Sequence, residues 1–94
     1  MLFRSPAQPG QVKAKVLVCH GNDDPMIPPA MVNAFAEEMT KAGANWELQA
    51  YGGTVHSFTN KLADGTMNPG IRYNAQADAR SWRAMRNFFE EIFA

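Results

Sequence analysis

Two short stretches of this 94-residue chain hold the residue types best suited to moving a proton. The first is His20-Gly21-Asn22-Asp23-Asp24; the second is His56-Ser57, about thirty residues further on. A carboxylate beside an imidazole fixes the ring tautomer and stabilises the imidazolium that forms when the ring takes up a proton. Histidine titrates near neutrality, so a paired ring can act as a general base. Such chemistry needs a fold that brings the two stretches side by side.

The pattern around them supplies candidate elements. Ala14–Cys19, AKVLVC, is a short continuous run rich in β-branched residues, which predicts a strand covered on both faces, as in a parallel sheet. The loop HGNDDPMIPP follows, with one Gly, two Asp and three Pro. A helix is expected from Pro29 or Ala30 to Ala42, with Met31, Phe35 and Met39 as an apolar stripe, Glu37, Glu38 and Lys41 as its solvated face, and Gly43 as its C-terminal cap. Trp46–Tyr51, WELQAY, alternates as a second strand and ends at Gly52-Gly53. A polar loop runs from Thr54 to about Tyr73, long enough in a small domain to be functional or mobile. A closing helix is expected over Ala75–Phe93, capped by Asn74, with Trp82, Met85, Phe89 and Phe93 on one apolar face. Residues 1–13, with Pro6, Pro9, Gly10 and the isolated Ser5, read as a lead-in, leaving 14–94 as the domain portion.

Strand, helix, strand, loop and helix give an α/β order whose first three elements form a βαβ unit, normally parallel and right-handed. Both candidate loops then leave the carboxyl ends of their strands, where functional residues of open α/β sheets collect. Two parallel strands do not make a stable sheet, since three or more are usually needed. The chain is therefore expected to be the end of a larger sheet, with an open edge and a bare face.

Composition narrows the functional classes. Nine Lys and Arg balance nine Asp and Glu, so nothing in the charge favours a nucleic acid or an anionic membrane surface. No apolar run approaches the length of a membrane span, and MLFRSPAQPGQ lacks the apolar core of a signal peptide. Cys19 is alone, so no internal disulfide can form, and a cytoplasmic location is expected.

The two stretches also resemble a known family. VLVCHGNDDPMIPP is similar to the acid-bearing segment of α/β-hydrolases, and WELQAYGGTVHSFT to their histidine segment. The closest resemblance is to the dienelactone hydrolase family, carried by Gly21-x-x-Asp24-Pro25 with Ile27-Pro28, by Tyr51-Gly52-Gly53 before His56, by Phe58 behind it, and by Tyr73 with ADARSW in the closing helix. It covers about residues 14–93, so the fold it implies is the C-terminal βαβ-α part of an α/β-hydrolase sheet, incomplete on its own. The resemblance implies that Asp24 is the acid and His56 the base of a catalytic triad. Asp23 is the adjacent rival; the spacing from Gly21 and the following Pro25 favour Asp24.

The chain departs from the family pattern in one respect. The order nucleophile, acid, base places a Ser or Cys upstream of Asp24, yet no G-x-S-x-G or G-x-C-x-G occurs. Ser5, Ser57, Ser81 and Cys19 all lack that context. The resemblance therefore implies hydrolysis of an ester or lactone of a small molecule, without cofactor or metal, by a protein in which this chain supplies acid and base only. By itself the chain is expected to be inactive, its partner being the missing N-terminal part of the domain or a self-associating copy. The competing expectation is a noncatalytic truncated fragment, or an interaction module that pairs through its sheet edge.

Blander roles exhaust the other candidates. His20 is expected to pack or hydrogen-bond at the strand end, and Cys19 to be a small strand residue. His20, Asp23, Asp24 and His56 match no common metal-ligand spacing. Arg80, Arg83 and Arg86 read as a mildly basic stripe, either salt-bridged to Glu90 or Glu91 or simply solvated, rather than a phosphate site.

Overall fold

The computed structural model describes residues 7–94; Ser5 and residues 1–6 of the expected lead-in lie outside that range. Four elements follow in order: β1 (Val16–Gly21), α1 (Pro29–Lys41), β2 (Trp46–Tyr51) and α2 (Ala75–Ile92). The sheet of the described residues has two strands, parallel and in register from Val16 against Trp46 to Gly21 against Tyr51.

β1 differs from the expected strand by two residues at each end. Pairing begins where the Val16 N–H donates to Asn45 O, and it continues through His20 and Gly21 because β2 extends opposite them to Tyr51. His20 is thus a strand residue, and Asn22 is the first residue of the acid loop. β2 has the bounds that its alternation predicts.

Proline and glycine set the ends of α1. Pro28 is the N-cap and Pro29 opens the helix, where a missing N–H costs nothing. At the other end Gly43 adopts φ 71°, its N–H donates to Thr40 O, and the Ala44 N–H donates to Met39 O. These two bonds form a Schellman closure, which needs the left-handed residue that glycine supplies cheaply. Of the expected stripe, only Met39 is buried; Met31 is exposed.

α2 starts as its sequence predicts: the Asn74 side chain accepts from the Ala77 N–H at 2.9 Å. Its buried face is not the expected one. Ala77, Ser81 and Ala84 are buried, at steps of four and three, whereas Trp82 is 57% and Phe93 79% exposed. Small side chains let the helix lie close to the strands, and two strands about 4.8 Å apart are too narrow to cover the flank carrying the large ones. The buried apolar residues are few: Met39, Ala42, Tyr51, Ala77 and Ala84. Each strand keeps one unpaired edge among the described residues, and most of β1 is only half-buried.

The long loop has structure of its own. A parallel bridge joins His56 to Ile71 and an antiparallel bridge joins Asp64 to Arg72. No helix among the described residues is long and apolar enough to cross a membrane.

Candidate active site

Because β1 and β2 are parallel and in register, their carboxyl ends stop together at Gly21 and Tyr51. The acid loop then folds back on the histidine loop: the Asn22 N–H donates to Tyr51 O, and the Asp23 N–H to Thr54 O, both at 2.9 Å. Contact this close needs Gly21. A methyl group there would stand 2.7 Å from the carbonyl oxygens of both Thr54 and Val55.

These constraints bring the two sequence candidates together. His56 Nδ1 lies 2.9 Å from Asp24 Oδ2. The other carboxylate oxygen, Oδ1, accepts from the Met26 N–H at 2.8 Å, a local Asx turn that aims the side chain. Asp24 is only 6% exposed, whereas Asp23 is exposed, so burial separates the two rivals. Burial alone would raise the Asp24 pKa. Hydrogen bonds from His56, Met26 and Ile27, with the charge of His56, outweigh it and hold the carboxyl below its ordinary value. An ionised carboxylate only accepts, so Nδ1 carries a proton, and in the neutral ring the lone pair then sits on Nε2. Nε2 has no hydrogen-bond partner among the described residues, and the His56 side chain is 36% exposed.

The return limb of the loop holds the His56 backbone. The His56 N–H donates to Gly70 O and the Arg72 N–H to His56 O, each at 3.0 Å. The Tyr73 hydroxyl donates to Asp78 Oδ2 at 2.7 Å, tying that limb to the first turn of α2. Asp78 Oδ1 is buried without a partner. Ser57 takes φ 59°, a left-handed conformation unfavourable for a residue with a Cβ, directly after the histidine. Behind it, Phe58 packs edge-on against Tyr51 at 5.7 Å.

His56 opens onto a cavity of about 640 Å³ that Leu17, Cys19, Trp82 and Met85 also line. His20 also lines it, 8% exposed, and its side chain packs without a hydrogen bond to the described residues. Ser57, Ser81 and Cys19 reach the same cavity, but none hydrogen-bonds His56. Ser81 Oγ instead donates to Asp78 O at 2.8 Å. No three or more His, Cys, Asp or Glu side chains among the described residues are grouped to hold a metal ion.

Sequence reasoning missed Thr54. It is 1% exposed, its Oγ1 donates to Gly52 O and accepts from Asn74 Nδ2, and its carbonyl receives Asp23. It therefore joins β2, the acid loop and the cap of α2. A threonine after two glycines gives no signal of this, because its partners lie far apart in the chain.

Comparisons with known proteins place the chain in a family. The family model described as the dienelactone hydrolase family matches residues 4–93. An uncharacterized protein of Caenorhabditis elegans, K02A2.1, is 35% identical over 79 residues, covering 84% of this chain and 50% of its own length. The chain thus spans about half the length of that curated relative. Among solved structures, a dienelactone hydrolase-like promiscuous phosphotriesterase from metagenomic libraries superposes with a TM-score of 0.81 at 43% identity, over 87% of this chain and 34% of that one. A structure named m3DLH superposes with a TM-score of 0.84 at 36% identity, over 94% and 39% respectively.

Proposed function

Because the chain belongs to the dienelactone hydrolase family, we propose that it supplies the acid and base of a hydrolase acting on ester or lactone bonds of small molecules. His56 is the general base and Asp24 orients it. A Ser or Cys outside these 94 residues is the nucleophile. As that residue attacks the substrate carbonyl, its proton passes to Nε2, and Asp24 stabilises the imidazolium through Nδ1–H. The same proton then leaves with the departing alkoxide. Water, deprotonated by His56 in turn, hydrolyses the acyl-enzyme. Neither cofactor nor metal takes part, and the location is cytoplasmic.

The observation that carries this reading is the 2.9 Å contact between a buried carboxylate and a ring whose Nε2 remains unpartnered on a cavity wall. The phosphotriesterase among the structural relatives extends the substrate classes to test, since attack at phosphorus needs the same base.

The test is a chimaera in which this chain replaces the matching portion of that phosphotriesterase. It should hydrolyse p-nitrophenyl acetate, and His56→Ala should lower kcat by roughly 10³-fold or more. A chimaera equally active with and without His56 would sink the assignment. The chain alone should show no turnover that depends on His56.

A second reading has its own support in the strand edges left unpaired among the described residues and in the exposed Trp82 and Phe93. In it, the chain is a noncatalytic module that associates with a second copy or with the remainder of the domain. Retention of that association after His56→Ala, with no activity in the chimaera, would favour it.

A further inference from the structure

The acid and base loops also touch where Gly70 meets Pro25. Gly70 lies against the Pro25 ring: a methyl group on Gly70 would overlap Pro25 Cγ and stand 3.2 Å from both Pro25 Cδ and Asn68 Oδ1. Gly70 is not in the left-handed region, so space rather than backbone conformation calls for glycine there. Pro25 directly follows Asp24, and Gly70 O accepts the His56 N–H at 3.0 Å. The result is a closed circuit: Asp24 to Pro25 by the chain, Pro25 to Gly70 by packing, Gly70 to His56 by a backbone bond, and His56 to Asp24 through Nδ1.

We infer that Pro25 and Gly70 are positioning residues, a clamp that sets the distance between the Asp24 carboxylate and the His56 ring. Each loop alone leaves that distance free. Asp24 is aimed by its own Asx turn, and His56 is held by the return limb through Gly70 O and Arg72 N. Beyond the Asp23–Thr54 bond near the strand ends, the packed ring fixes one assembly against the other. A proline suits this contact because its ring is tied to the backbone and cannot swing aside. The effect on catalysis rests on the function proposed above; the effect on the hydrogen bond does not.

The experiment reads His56 directly in the 94-residue chain. Nitrogen-15 NMR of the imidazoles reports the ratio of Nδ1–H to Nε2–H tautomers, with His20→Asn used to assign the second ring. Gly70→Ala should lower that ratio roughly tenfold, the size expected for losing one charge-assisted hydrogen bond. Adding Pro25→Ala removes the collision and should restore most of the ratio. A residue with a general structural role would give no such rescue, since unconnected destabilisations add. If Gly70→Ala does not fold, Pro25→Gly decides: a fall in the ratio supports the clamp, and an unchanged ratio overturns it. Absence of rescue in a folded double variant also overturns it. An inactive chimaera with the rescue intact refutes the hydrolase reading and leaves the clamp standing.

Discussion

Gly21 runs beneath Thr54 so closely that the end of β1 has no room for a side chain under the turn that leaves β2. That crossing lets the Asp23 N–H reach Thr54 O, and from there it sets how the acid loop meets the histidine loop.

Gly21→Ala should therefore act on both stability and the site. Its φ is not left-handed, so the backbone itself tolerates alanine. The obstacle is the carbonyl oxygens of Thr54 and Val55, the first of which holds the Asp23 N–H. Overpacking of this kind costs about 1–3 kcal/mol. Urea denaturation should show that loss, and the His56 Nδ1–H signal should weaken in the same variant. Wild-type stability would refute the close approach.

Acid should destabilise the fold through Asp24. Its carboxyl titrates below the ordinary value of 3.8 in the folded chain. The stabilisation is complete above that unfolded-state value and is lost as pH falls through the folded one. Asp24→Asn should flatten this part of the acid limb when stability is followed by circular dichroism. An acid limb with the same slope in Asp24→Asn would show that other carboxylates carry it.

The two tyrosines should titrate late. Burial, then the Cys19 thiol beside it, pushes Tyr51 up to about 12, against the lowering charges of Arg80 and Arg83. The hydrogen bond to Asp78 raises Tyr73. A raised phenol contributes stability in full below its unfolded value of 10.0, and for Tyr51 that stability is lost as pH rises through about 12. Phenolate absorbance at 295 nm should reach its midpoint above pH 10 in the folded chain and near 10 in urea. Coincident folded and unfolded titrations would contradict this packing.

Association should follow from the uncovered surface. β1 and β2 each keep an unpaired edge among the described residues, and Trp82, Phe89 and Phe93 are exposed along α2. Sedimentation velocity should give a concentration-dependent coefficient that falls when Trp82→Glu is introduced. A compact monomer at high concentration would remove the argument for an incomplete sheet.

Local pattern alone defined much of this chain. WELQAY gave its own strand bounds, Asn74 and Gly43 their caps, and the Pro-rich loop the start of α1 to within one residue, because each depends on neighbours within a few residues. Asp24 and His56 could be picked out in the sequence because their flanking residues form a recognisable pattern. What sequence could not supply was distance. That they meet at 2.9 Å follows from strands in register, from Gly21 under Thr54 and from Gly70 against Pro25. The buried face of α2 was likewise decided by the tertiary structure: periodicity marks the Trp82, Met85, Phe89 and Phe93 stripe, whereas the narrow sheet is packed by the small Ala77, Ser81 and Ala84. Contacts between residues thirty or more positions apart leave no periodic trace, since they depend on which atoms the folded backbone leaves room for.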